Sequence, residues 1–449
     1  MSVLWILFLT GLLAALAGLW WPERAVRNLV RAGLLLALVW LPFVPEQSGF
    51  GGLFLMDGFA RALTLVGVLA ALLASLVGSG YLERTGMGAF EYHALLAFST
   101  FGLAVMASSA NLVVILVGLE LLSLPLYALA ALRYDPASEE AGLKYFLLGA
   151  VAAAVFFYGL VLHFGATGSF ALGAVGKGPL FAVAVALLLA GLFFKAALTP
   201  FSWWAPDVYQ GAPTPVTLFM ATGVKAAAFA ALARVAVGVG MGGIGGAFLA
   251  LAVLLTVFFG NLAALAQGEA KRLLAYSSVA HAGYIALALF GPDPAPAVGY
   301  YLLAYALSTG LAFAVLAQVD GGRGVPFGEV RGLVRRSPML AGMLLLALFS
   351  LAGLPPLVGF WGKYLAFVQA ARGGQYGLLA FALLTAVVAA YYYLRLLAQA
   401  FFLEPEAKGG LEVRPLAALA LGLVAFLVVA LGVFPGAVYG FFNVGGVVP

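Results

Sequence analysis

"GLFFKAALTPFSWWAPDVYQG", from Gly191 to Gly211, decides how the chain is read. Lys195 ends a long apolar run, and Pro200 follows in the same stretch. Proline has no N–H and its ring clashes with the preceding turn, so a helix cannot pass through it undisturbed. The question is why an apolar helix would carry a full charge and then break. Composition supplies the setting. A soluble fold needs about 25% charged residues, whereas this chain has 9%, with 65% hydrophobic. It reads as an all-α polytopic membrane protein, a single membrane domain over residues 1–449, without the alternation of barrel strands.

A bilayer core asks for about 20 apolar residues per helix, and about fourteen such spans are expected: 2–21, 25–44, 53–79, 90–108, 110–132, 141–167, 179–204, 213–238, 244–266, 271–291, 296–318, 338–371, 377–402 and 413–443. They are numbered 1 to 14 below. Basic residues orient the bundle, because cytoplasmic loops collect them. On one side lie Arg24, Arg27, Arg31, Arg84, Arg133, Lys144, Lys271, Arg272, Arg323, Arg331, Arg335, Arg336, Lys408 and Arg414; on the other lie Arg61, Lys177, Arg234 and Arg372. The richer side follows the odd spans, so both termini are expected on the outer, periplasmic side of a bacterial inner membrane. The net charge of +5 reflects this asymmetry and is no sign of nucleic-acid binding. The first span has no basic residue before it and is expected to be a retained helix rather than a cleaved signal.

Cysteine is absent, which removes disulfides, iron–sulfur clusters and thiolate ligation. The histidines are His93, His163 and His281, a poor basis for a haem. No metal or cofactor site is expected in the chain itself. "GVGMGG", Gly238–Gly243, fits a dinucleotide fingerprint as a string but lies between two membrane spans with no strand before it, so it reads as an interhelical turn.

Few ionisable residues remain inside the spans: Glu120, Lys195, Lys225, Lys363, Arg395 and His281. A charge at a helix centre costs about 2.5–3.5 kcal/mol, so three lysines and a glutamate together cost about 10 kcal/mol. Such residues face protein or water and are functional candidates by default. Their neighbours are polar at helical spacing. Glu120, Ser123 and Tyr127 share a face, as do Lys195, Thr199 and Ser202; Ser277, His281 and Tyr284; Tyr301, Tyr305 and Ser308; and Tyr392, Arg395 and Gln399. For the hydroxyl residues alone, interhelical hydrogen bonding is a sufficient explanation. For Glu120 the plain alternative is a structural ion pair, but the lysines outnumber it. Together these faces suggest a polar seam through the bundle.

Span 12 reads "LFSLAGLPPLVGFWGKYLAF", with Pro355 and Pro356 before Lys363. It should break as span 7 does. The offset between the two prolines matches that between spans 4 and 9, which predicts two five-helix repeats, spans 4–8 and 9–13 (residues 90–238 and 244–402), flanked by residues 1–80 and 413–443. Five helices is an odd number, so the second repeat is inverted. Interrupted helices at corresponding places in two repeats are a pointer to a transport site. The lysines are not equivalent, since Lys195 precedes its proline and Lys363 follows.

"GLELLSLPLYALAAL" (Gly118–Leu132), "FKAALTPFSWWAPDVYQGAPTPVT" (Phe194–Thr217), "KRLLAYSSVAHAGY" (Lys271–Tyr284) and "GLPPLVGFWGKYLAF" (Gly353–Phe367) resemble the antiporter-like subunits of respiratory complex I, the subunit N type most of all. The resemblance covers essentially the whole chain. It implies fourteen helices, inverted repeats with broken helices 7 and 12, and a proton path through Glu120, Lys195, Lys225 and Lys363, with His281 as a further relay candidate. Lys363 departs from the subunit M type, which has glutamate there, and the subunit L type, which extends past helix 14 with a long lateral helix, is not expected for a sequence that stops at Pro449. The implied mechanism makes Glu120 and Lys195 a switchable pair whose separation sends a proton from Lys195 toward Lys225, then past His281 to Lys363. NADH, FMN, iron–sulfur clusters and quinone are expected in partner subunits. The expected partners are other membrane-arm subunits, including sibling antiporter-like ones, and membrane lipid. The rival readings are an Mrp-type cation/proton antiporter subunit and a structural spacer that pumps nothing.

Overall fold

A computed structural model of the chain describes residues 1–239, 243–406 and 409–442. Lys408 and the Gly240–Gly242 part of the glycine-rich turn lie outside the described residues. Among those described, twelve helices are long and apolar enough to cross a membrane. Ser2–Ala17 and Pro338–Ala352 are apolar but shorter. The most enclosed helices are Gly58–Thr85 (span 3), Thr214–Val239 (span 8), Ala270–Phe290 (span 10) and Pro294–Val319 (span 11). Glu23–Phe43, Pro136–Thr167 and Tyr376–Phe402, spans 2, 6 and 13, ring them with apolar faces turned outward. Apolar side chains gain nothing from burial against lipid, so small residues and hydrogen bonds decide which helices meet. Spans 4 (Ala89–Ala107) and 5 (Leu112–Ala131) show it: a Cβ on Gly102 would lie 2.2 Å from the Leu122 nitrogen, and Ser99 donates to the Leu122 carbonyl at 2.7 Å.

Both expected breaks are present. Span 7 is a helix Gly178–Ala196, a turn in which Ala197 takes φ 59°, and a second helix Trp204–Gly211. Span 12 is Pro338–Ala352, a turn at Gly353 with φ 88°, and Val358–Arg372. Positive φ suits glycine and strains alanine, so Ala197 is the costlier stop. Each turn contains a cis X–Pro bond, Thr199–Pro200 and Pro355–Pro356. The broken helix is the fourth of five in each repeat that the sequence predicts. Span 8 holds an irregularity of its own: Thr214–Phe219 passes through a π-helical turn, Met220–Val224, before α-helix resumes at Lys225.

Several sequence boundaries move. The start assigned to span 3 at residue 53 belongs to a hairpin, Gln47–Gly49 with Phe54–Met56. The helix begins at Gly58, capped by Asp57, which accepts from the Ala60 nitrogen at 2.7 Å. Span 6 begins at Pro136 behind an Asp135–Ser138 capping box, so Lys144 is a helical residue rather than a loop one. Lys271 and Arg272 open the helix Ala270–Leu287, and Arg234 lies within Lys225–Val239. These residues were read as loop charges because they sit at the ends of apolar runs. Span 14 is Pro415–Val433, followed by a short helix Gly436–Phe442.

Candidate functional site

Lys195 lies in the last turn of the first half of span 7 and is buried. Its Nζ donates to Ser123 Oγ at 2.6 Å and Tyr145 OH at 2.9 Å, and lies 4.9 Å from the centre of the Tyr145 ring. Tyr145 in turn stacks on Trp204 at 4.6 Å, and Tyr127 meets its edge at 4.9 Å. The span 5 face thus meets the ammonium through Ser123, but the face expected on span 7 does not form: its helix ends at Ala196, and Thr199 and Ser202, beyond the break, bond each other at 2.9 Å.

Glu120 is not the direct partner of Lys195 that the sequence suggested. The two charges act on each other through space, but the contacts of Lys195 are hydroxyls. Glu120 Oε1 is buried without a hydrogen-bond partner. Ser123, one turn on, takes the position against the amine, and its own hydroxyl is directed back to the Leu119 carbonyl.

The second cluster is larger. Lys225 donates to the Ser278 carbonyl at 2.6 Å and lies 5.5 Å from the Tyr305 ring centre. The Tyr305 ring is 5.1 Å from that of His281. His281 bonds Tyr301 OH through Nδ1 at 3.1 Å and Tyr393 OH through Nε2 at 3.2 Å, and Tyr393 meets Ser277 Oγ at 2.5 Å. On the other side of His281, Tyr284 lies 5.8 Å away, ring to ring, and Lys363 Nζ is 5.4 Å from the Tyr284 ring centre. Lys363 donates to the Ala352 carbonyl at 3.0 Å. Tyr284 OH is fixed by Asn261 Nδ2 at 2.9 Å and Thr385 Oγ1 at 3.1 Å. Lys225, His281 and Lys363 are therefore joined by tyrosine rings in an unbroken sequence. Electron-rich ring faces stabilise a cation without fixing it in place. No side-chain hydrogen bond among the described residues joins this cluster to Lys195.

Each ammonium has three N–H groups. The protein supplies two acceptors to Lys195, one to Lys225 and one to Lys363. The other two histidines are held locally, His93 by the Ala89 carbonyl and His163 by those of Ser169 and Ala174. Arg395 is likewise occupied, by the carbonyls of Leu265 and Gln267.

Two buried pairs escaped the sequence reading. Arg234, fully buried, meets Asp57 at 2.7 Å and ties span 8 to the cap of span 3. Lys271 lies 4.0 Å from Asp320, both buried; Lys271 also donates to the Ala212 carbonyl at 2.7 Å, and Thr214 donates to Asp320. The signal for Asp57 was available, since an aspartate just before an apolar run is a favoured helix cap. Beside the Lys271–Asp320 pair, a polar cavity of about 480 Å³ opens between Arg133, Asp135, Lys144, Asp207, Glu269 and Arg272. Lys144 and Arg272 both pair with Asp207, at 2.9 and 2.7 Å. Burial alone would raise the Asp135 carboxyl; hydrogen bonds from Arg133 and Ser138 outweigh it and hold the group below its ordinary range.

This arrangement has known counterparts. Residues 109–389 match the family described as NADH:quinone oxidoreductase/Mrp antiporter, transmembrane. NADH-quinone oxidoreductase subunit 14 of Thermus thermophilus is 52% identical over 95% of this chain and 95% of its own length. Subunit N 1 of the same enzyme from Chloroherpeton thalassium is 38% identical over 92% of this chain and 90% of its own. A chain in the structure of respiratory complex I from Thermus thermophilus superimposes with a TM-score of 0.91 at 49% identity, covering 99% of this chain and 100% of the other. The chain belongs to the NADH:quinone oxidoreductase/Mrp antiporter transmembrane family, within its complex I antiporter-like branch of the subunit N type.

Proposed function

We propose that this chain is a proton-translocating membrane-arm subunit of an NADH–quinone oxidoreductase, with no redox centre of its own. NADH oxidation and quinone reduction, with FMN and iron–sulfur clusters, belong to partner subunits, and sibling antiporter-like subunits flank the chain in the membrane. The observation that carries the reading is the run of tyrosine rings joining Lys225, His281 and Lys363 at the core of the bundle. A spacer has no use for three amines buried in the bundle at such cost.

Glu120 acts on Lys195 at a distance. A change in the charge of Glu120, driven from the neighbouring subunit, alters whether Lys195 keeps its proton. The proton passes from the Ser123–Tyr145 pocket to Lys225, then along the Tyr305–His281–Tyr284 surface to Lys363. The irregular backbone at both breaks supports the transfer, since non-helical backbone in a membrane is tolerated where it lines protein or water. Counting Ser2–Ala17 and the broken span 12 as crossings gives fourteen, with both termini on the periplasmic side; the arginines around Arg133, Arg272, Arg331 and Arg414 support that orientation.

NADH-driven proton pumping in inverted membrane vesicles tests the assignment. Glu120→Ala and Lys225→Ala should assemble normally and lose most of the pumping. Full pumping in both, with normal assembly, overturns the relay. Sodium- or potassium-dependent proton exchange without NADH would instead favour an antiporter of the Mrp type.

A further inference from the structure

On one side of the bundle, Gly58–Thr85, Pro294–Val319 and Pro415–Val433 leave a crevice between them. It is lined by apolar side chains, among them Leu69, Leu73 and Leu76 of the first helix, Leu307 of the second, and Val424 and Leu427 of the third. At one end of these helices stand Arg27, Arg84 and Arg414, with Arg31 deeper, beside Ser75 and Ser79. Arg84 and Arg414 converge over Gly80, where a Cβ would lie 3.3 Å from Arg84 Nη1 and 3.5 Å from Arg414 Cδ. Arg84 is anchored to the Ala317 carbonyl at 2.7 Å, and Arg31 to the Ser75 carbonyl and the Ser79 hydroxyl at 2.7 and 2.6 Å. The carboxylate among them, Glu83, is shared by Arg414 and Arg27, the latter at 3.7 Å. Arg27 Nε is buried with no hydrogen-bond partner. Glu23 and Glu412 are near in sequence but form no ion pair with these arginines among the described residues. Positive charge is in excess.

The spacing between arginines and crevice carries the inference. A helix rises about 1.5 Å per residue, so Leu76 and Leu69 lie about 12 and 22 Å below Arg84, and Leu427 lies about 20 Å below Arg414. One leaflet of a bilayer, from headgroup to midplane, is about 20 Å. The arginines stand where a lipid phosphate sits, and the crevice runs where its acyl chain runs. A neutral lipid would leave the charge beyond that of Glu83 uncompensated; basic sites between membrane helices select anionic headgroups.

We propose that this crevice is a binding site for one anionic phospholipid, its phosphate on Arg84 and Arg414 and one acyl chain between the three helices. The lipid fastens Pro415–Val433 to the bundle. That helix also bears on the break in span 12, where Trp361 Nε1 donates to the Gly432 carbonyl at 2.8 Å and a Cβ on Gly432 would lie 2.0 Å from the Pro356 oxygen.

The test uses the intact detergent-solubilised complex, with retained lipid measured by native mass spectrometry and by titration of the delipidated complex with phosphatidylglycerol or phosphatidylcholine. The wild type should retain an anionic phospholipid and bind phosphatidylglycerol in preference. The Arg84→Gln/Arg414→Gln double variant should bind it about tenfold or more weakly. Val424→Phe, which fills the crevice and leaves the arginines in place, should lose the same lipid. Unchanged retention in both variants, equal affinity for phosphatidylcholine, or cross-linking from Val424 to a partner subunit in place of lipid would overturn the proposal.

Discussion

The two broken helices solve one problem in different ways. Breaking a helix inside a membrane strands the last carbonyls of its first half, and these must find donors. In span 7 neutral donors do this: the Phe194 carbonyl accepts from the Ala197 nitrogen at 3.1 Å and from Trp204 Nε1, of the second half, at 2.9 Å. Lys195 is left free to face the hydroxyls of Ser123 and Tyr145. In span 12 the lysine does it, Lys363 donating to the Ala352 carbonyl. A cation at a helix C-terminus is also favoured by the helix dipole. Thus one amine is separated from the backbone that holds the break open, and the other is part of it. The two spans break alike and assign the charge beside the break opposite duties.

The largest expected effect separates those duties. Lys195→Met and Lys363→Met should each remove most NADH-driven pumping. With Tyr145→Phe added to the former so that no hydroxyl is stranded, Lys363→Met should be the less stable by about 1–3 kcal/mol, because it orphans the Ala352 carbonyl. Both lose a buried charge, so that term largely cancels; equal thermal unfolding of the purified complexes would break the comparison. Next, Trp204→Phe keeps an aromatic ring against Tyr145 and removes the indole N–H with part of the ring. It should cost about 1–3 kcal/mol, from one lost hydrogen bond and the lost ring volume, and leave pumping largely intact. Pumping that collapsed with assembly unimpaired would show that cap and proton path are inseparable in span 7 as well. The smallest effects concern the neutral supports. Thr256 Oγ1 accepts from the Thr199 nitrogen at 2.8 Å, and Ser350 Oγ from the Gly359 nitrogen at 3.0 Å. Thr256→Val and Ser350→Ala should each cost about 1 kcal/mol; strongly unequal costs, read by thermal unfolding, would show that the turns are not equivalently braced.

Much of this was legible in the sequence for a physical reason. Charges and prolines are so costly in a membrane helix that those present stand out against the apolar background, and Lys195, Lys225, His281, Lys363, Pro200 and Pro355 were found that way. The position of each lysine relative to its proline was legible too. Its consequence was not, because the groups that decide it come from elsewhere in the fold: Ser123 and Tyr145 from spans 5 and 6, Tyr305 from span 11. Helical spacing places Glu120 on the face that meets Lys195, yet cannot tell that Ser123, one turn along the same face, is the nearer group. The same argument from cost failed at the ends of the spans. Arg234 and Lys271 sit where an apolar run gives way to polar residues, so each looks like an ordinary loop charge, and nothing in the sequence singles out Asp320, although all three are buried. The strands Gln47–Gly49 and Phe54–Met56 were missed because three apolar residues before a helix look like its first turn.

The π-helical turn Met220–Val224 carries a consequence of its own. A π turn fits one residue more into the same rise than an α turn does. Everything after it in span 8 is therefore rotated, by about 100° for one α-helical residue, relative to everything before. Thr214, on the early side, is committed to Asp320, and Arg234, on the late side, to Asp57. With the two ends clamped to different neighbours, the azimuth of Lys225 is set by the surplus residue between them. Deleting a single residue from 220–224 would leave the composition of the helix almost unchanged and aim its amine at a different wall.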